Sequence, residues 1–102
     1  MTPAYWIARV TVLDQDAYGA YSAAATKAFA HYGARILARG GEVVKLEGTA
    51  RARNVIIEFD SMAAALACYH SPEYLVARDL RRAAAEIDLI ILDGVLPVAD
   101  AR

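Results

Sequence analysis

Residues 68–74 read CYHSPEY, which sets a thiol, two phenols, an imidazole, a hydroxyl and a carboxylate within one short stretch. A nucleophilic site built on Cys68 would need His70 beside it. On a helix, residues two apart point about 200° away from each other, so this pair cannot meet. A junction between two helices fits the run better. Ser71 can accept from the free amides of a new helix, and Pro72 suits its first position because the missing N–H had no partner there. Proline also disfavours helical backbone at Ser71, so the preceding helix must stop. Tyr69 and Tyr74 remain candidates for lining a pocket. His31 and His70 show no HxxxH spacing, and Cys68 is the sole cysteine, so no metal site is expected. His31 falls four residues after Lys27 on the less apolar side of its helix, which reads as a solvated histidine and a secondary acid–base candidate.

A second constellation comes from strand positions. Arg9, Glu58 and Arg39 all fall on the half-polar sides of alternating segments, with Asp88 available to join them. Buried ions need partners. An Arg–Glu–Arg group in an apolar setting is therefore either a structural ion network at a subunit contact or an anchor for a carboxylate or enolate. Glu58 would be the base candidate if proton transfer occurs. The adjacent glycines of ARGGEV read as a bulge within a strand, since residues of strand type follow them where a phosphate loop would open a helix.

The elements that must carry these residues are legible from periodicity. YWIARVTV alternates, with Trp6, Ala8, Val10 and Val12 on one wholly apolar face and Tyr5, Ile7, Arg9 and Thr11 on the other. Asp14 or Asp16 caps a helix whose stripe is Tyr18, Tyr21, Ala25, Ala28, Phe29 and Tyr32, and Gly33 ends it. Ile36 and Ala38 share one side of the next strand, opposite Arg35, Leu37 and Arg39, and Glu42 to Leu46 extends it. Residues 48–53 form a polar connection. NVIIEF alternates again, Asp60 or Ser61 caps MAAALACYH, and Val76, Leu80 and Ala84 give the stripe of the helix after Pro72. IDLIILDG closes the chain's pattern, with Ile87, Leu89 and Ile91 opposite Asp88, Ile90 and Leu92.

Strand, helix, strand, strand, broken helix, strand predicts one ferredoxin-like α+β domain over residues 1–102. Its antiparallel sheet has order 4-1-3-2, with the helices on one face. The uncovered face would carry Ile7, Leu37, Ile56, Ile90 and Leu92. Such side chains are worth roughly 1.5–3 kcal/mol each when fully buried. Two copies pairing these faces would form a dimeric α/β barrel, so a homodimer is expected. The totals agree: 58% of 102 residues are hydrophobic and mean hydropathy is +0.27, more apolar surface than a chain this short readily hides.

A formal net charge of −1 without blocks of like charge excludes an electrostatic footprint for nucleic acid. Arginines outnumber lysines nine to two and alanine is abundant, a composition that points to a GC-rich bacterial genome. The opening MTPAYWIARV has no basic segment leading into a long apolar run, and no run is long enough to span a bilayer. A cytoplasmic location without membrane partners is expected, and no cofactor is implied.

YWIARVTVLD, Tyr18 and Tyr21, YGARILARGG, LEG, VIIEFDSMAAALACYHSPEY and DLIILDG resemble, in that order, the family known as domain of unknown function 1330. Cys68 stands where that family usually carries an aromatic residue, and Ala34 where a second glycine often follows. The resemblance implies a ferredoxin-like fold and the dimeric α/β-barrel superfamily, with no established activity. That superfamily includes cofactor-independent monooxygenases and isomerases. Two functions follow as expectations: a homodimer binding a small acidic or aromatic molecule on the open sheet face, at Arg9, Arg39, Glu58, Tyr69 and Tyr74, or a cofactor-independent enzyme using the same pocket.

Overall fold

The computed structural model describes residues 2–96. Seven elements follow in chain order: β1 (Ala4–Val12), α1 (Gln15–His31), β2 (Arg35–Arg39), β3 (Arg53–Phe59), α2 (Met62–Tyr69), α3 (Pro72–Arg81) and β4 (Ala85–Asp93). The strands form one antiparallel sheet in the order β2-β3-β1-β4, the expected arrangement read from the other edge. The helices cover one face, and α1 packs along α3.

The apolar alternation of β1 produces this layering directly. Ala4, Trp6, Ala8 and Val10 are buried beneath the helices, and the residues between them face the open side. Register carries the pattern across the sheet: Trp6 lies opposite Ile57 and Ile91, and Ala8 opposite Val55 and Leu89. Trp6 is the centre of the core. Its ring meets Phe29 edge-on at 5.2 Å and Tyr74 at 5.0 Å, and lies 5.8 Å from both Phe59 and Tyr69. Such aromatic pairs add stability beyond their buried area.

Local signals set the helix ends. The Asp14 carboxylate accepts from the Ala17 amide, so Asp14 is the α1 cap and Asp16 sits in the first turn. Gly33 follows the helix at φ +72°, a conformation that L side chains rarely adopt. Ser61 caps α2 through the Ala64 amide. At the helix junction, Ser71 Oγ accepts from the Tyr74 amide at 3.1 Å and donates to the Cys68 carbonyl at 2.7 Å. One buried hydroxyl thus ends α2 and begins α3. Ser71→Ala should cost about 2 kcal/mol in urea unfolding, since it orphans the Tyr74 amide and removes one of the hydrogen bonds accepted by the buried Cys68 carbonyl. A loss below about 0.5 kcal/mol would contradict that double role.

Three expectations are corrected. The segment Glu42 to Leu46 does not extend β2. Gly40 and Gly41 adopt φ +71° and +84° and turn the chain away, leaving Val44 and Leu46 at 69% and 86% exposure. The bulge lies earlier, between Ile36 and Ala38, so the glycines end the strand. On α3, the buried side is Tyr74, Ala77 and Arg81, while Val76 and Leu80 face outward. Tyr74 decides that orientation by inserting against Trp6, and Arg81 follows it to lie over the Tyr21 ring.

Candidate functional site

The open sheet face is organised in rows that cross the strands. Ala38, Ile56, Ile7 and Ile90 stand in register across all four. Ile56 and Ile90 are 36% and 57% exposed, and no helix covers this row. On one side lies the row Arg35, Glu58, Tyr5 and Leu92. On the other lie Asn54, Arg9 and Asp88, then Thr11 and Glu86.

Each charged row is internally paired. Arg35 Nε donates to Glu58 at 2.8 Å, its Nη2 reaches Asp60 at 3.0 Å, and the Tyr5 hydroxyl donates to the other Glu58 oxygen at 3.2 Å. The Arg35 hydrogen bond, assisted by Tyr5, holds the Glu58 carboxyl below its usual range. Glu58 is therefore a persistent anion, suited to holding a cation and poorly suited to accepting a proton near neutral pH. In the opposite row Arg9 Nη2 donates to the Thr49 carbonyl at 2.6 Å. Arg51 reaches across the sheet to Thr11, Glu86 and Asp88, at 2.8, 3.3 and 3.0 Å. Asp88 thus lies in the row of Arg9 but is engaged by Arg51.

The expected trio of Arg9, Glu58 and Arg39 does not form. The bulge at Leu37 inserts one residue and inverts the facing of everything after it. Ala38 pairs with Ile56 on the open face, so Arg39 pairs with Val55 on the helix side, next to Arg53. Arg35, before the bulge, takes the place beside Glu58. The sequence signal for Arg35 is its position just after the Gly33 stop, opposite the end of β3. Arg51 has no comparable signal, because its reach depends on how residues 40–52 fold back.

The remaining candidates are dispersed. Tyr69 lines a groove of about 350 Å³ between α2 and β4, with Met62, Leu66, His70, Leu89 and Ile91. Its hydroxyl accepts from Arg78 at 2.9 Å. Tyr74 is fully buried and shares a 2.9 Å hydrogen bond with the Tyr21 hydroxyl, so it belongs to the core. His31 is exposed at the end of α1, 3.9 Å from Glu73 and away from the open face. Cys68 is fully buried, and burial pushes its thiol up to about 12, which leaves it a core residue with no useful thiolate at neutral pH. Among the described residues no three His, Cys, Asp or Glu side chains converge, and no helix is long and apolar enough to cross a membrane.

A four-stranded antiparallel sheet with helices on one face and an uncovered, apolar-centred second face defines a ferredoxin-like α+β protein. Within that class the chain belongs to the family described as domain of unknown function (DUF1330), which it matches over residues 3–95. Solved structures agree on the fold. RPA0582 from Rhodopseudomonas palustris, a protein of unknown function, is 24% identical with a TM-score of 0.77, covering 94% of this chain and 85% of its own. SnoaB from Streptomyces nogalater, a cofactor-independent oxygenase, is 12% identical with a TM-score of 0.68, covering 98% and 100%. A dimeric protein of unknown function and ferredoxin-like fold from Bacteroides fragilis is 13% identical with a TM-score of 0.62, covering 90% and 96%. At these identities the likeness is one of fold. No curated protein matches the chain.

Proposed function

We propose that this chain acts as a cytoplasmic homodimer that binds a small molecule, with the two open sheet faces opposed across a two-fold axis. The observation that carries the reading is the uncovered row of Ala38, Ile56, Ile7 and Ile90, with Leu92 in the adjacent row at 54% exposure. A face this apolar gains by burial. Its flanking charges already hold partners within the chain, so it can enter an interface without stranding an ion. In this reading Arg9 and Glu58 are structural charges of the assembly face. The dimeric Bacteroides fragilis protein of the same fold is consistent with it.

Small-molecule binding is supported by unfilled space on the helix side of the sheet, beside the Arg53 guanidinium, which forms no ion pair or side-chain hydrogen bond with any described residue. A second reading, a cofactor-independent oxygenase or isomerase, draws on the likeness to SnoaB. Such an enzyme needs a proton acceptor, and Glu58 is held as a weakly basic anion. Binding is the better-supported function.

Sedimentation equilibrium tests the assembly. The expected mass is twice 11.0 kDa at micromolar concentration. A single species at the monomer mass would overturn the proposal.

A further inference from the structure

The bulge that removes Arg39 from the open face has a consequence on the other side of the sheet. Arg39 pairs with Val55, and Arg53 occupies the next helix-side position on β3, opposite Val10. The two guanidinium-bearing residues are therefore diagonal neighbours on one face. Neither forms an ion pair or a side-chain hydrogen bond with any described residue. The Arg53 Nε is wholly enclosed and has no partner. Arg53 is held in place: its guanidinium lies 5.4 Å from the Tyr18 ring centre, and its Nη1 packs on Gly40, where a Cβ would sit 3.2 Å away.

Two spaces share Tyr18, Ser22 and Arg53 in their linings. An outer groove of about 330 Å³ runs between α1 and the sheet, lined by Val12, Gln15, Tyr18, Gly19, Ser22 and Arg53. Beside it, a smaller cavity of about 30 Å³, room for one water, is lined by both Arg39 and Arg53. The linings of both spaces contain no carboxylate. Their polar groups are mostly donors, and Val12, Val55 and the Tyr18 ring supply the apolar walls.

The geometry points to a binding site for a small carboxylate carrying a compact apolar body, such as an aryl carboxylate, held by Arg53 and Arg39 with the Ser22 hydroxyl in reach. This deepens the small-molecule reading above and gives it a site and a ligand class. Two like charges at diagonal positions without a counter-ion repel each other, and one carboxylate engaging their terminal nitrogens relieves that repulsion. The planar guanidinium fork suits a carboxylate, whose two oxygens it can engage in parallel. The groove has the size of an ordinary ligand site. It lies within one protomer, on the face away from the proposed subunit contact, so it does not need the dimer.

Sodium benzoate is the probe, titrated by isothermal calorimetry and by amide NMR shifts at constant ionic strength. Benzamide serves as its neutral counterpart and inorganic phosphate as an anion without an apolar body. Benzoate should bind more tightly than either and shift amides around Tyr18, Ser22 and Arg53. Arg53→Gln and Arg39→Gln should each weaken it about tenfold, the effect of losing one charged hydrogen bond. Arg82→Gln, which removes one exposed positive charge elsewhere, should leave it unchanged. Arg53→Lys should recover only part of the affinity, because the fork is lost. Thermal melts confirm that each variant is folded. Equal responses to benzoate and benzamide, tighter phosphate binding, or undiminished affinity in Arg53→Gln would each overturn the site. A monomer by sedimentation that still binds benzoate through Arg53 would refute the assembly and uphold the cleft.

Discussion

Ile90→Lys should turn the proposed dimer into a folded monomer. The side chain is 57% exposed on β4, so within one protomer the substitution changes a surface position and should cost under about 0.5 kcal/mol. In the proposed dimer its effect lies between protomers. Ile90 ends the apolar row that crosses the sheet through Ile7 and Ile56, and in a two-fold interface every residue enters twice. Two ammonium groups would then be forced against apolar partners, and no carboxylate of the row is free to meet them. A combined penalty of about 4 kcal/mol corresponds to roughly a thousandfold weaker dimer. Light scattering after size exclusion should show the dimer mass for the native chain and the monomer mass for the variant, with matching circular dichroism. Ile90→Val is the control and should remain dimeric. A dimer that survives Ile90→Lys would place the subunit contact on another surface.

Trp6→Ala has the largest expected effect within the protomer. Trp6 is 1% exposed and its ring fills the space between the sheet and all three helices, against Phe29, Phe59, Tyr69 and Tyr74. Removing an aromatic ring from such a site costs about 3–5 kcal/mol through lost contacts and the cavity left behind. Small domains hold only about 5–15 kcal/mol in total, so the variant should be close to unfolding at 37 °C. Circular dichroism in urea is the measurement, since the substitution also removes the chain's only tryptophan fluorescence. Native and variant chains must be compared at one concentration, because the apparent stability of the proposed dimer would depend on it. Trp6→Phe keeps a ring and should lose less than half as much. A loss near 1 kcal/mol for Trp6→Ala would mean the aromatic cluster does not anchor the fold.

Both predictions rest on features of different legibility. Alternation alone marks Trp6 as a core residue, because Trp6, Ala8 and Val10 leave no polar residue on their side of β1. The open face was legible for the same reason, down to Ile7, Ile56, Ile90 and Leu92. The junction at Ser71-Pro72 was legible because a cap and a proline act on their immediate neighbours. Arg39 was misplaced because alternation counts residues and cannot count an insertion: the bulge at Leu37 reverses the parity of the strand without any glycine or proline to announce it. The stripe of α3 was misplaced because Val76 and Leu80 satisfy helical spacing as well as Tyr74, Ala77 and Arg81 do. The volume available beside Trp6 decides between them.

The sequence by itself determined the element order, the antiparallel sheet, the helix caps and the apolar core face, since each arises from interactions between residues close along the chain or from strict alternation. Tertiary structure alone decided which arginine meets Glu58, how Arg51 spans the sheet to Asp88, and why Arg39 and Arg53 come to share a cleft. Those outcomes depend on cross-strand register after the bulge and on long side chains reaching partners some forty positions away, and no local pattern encodes either.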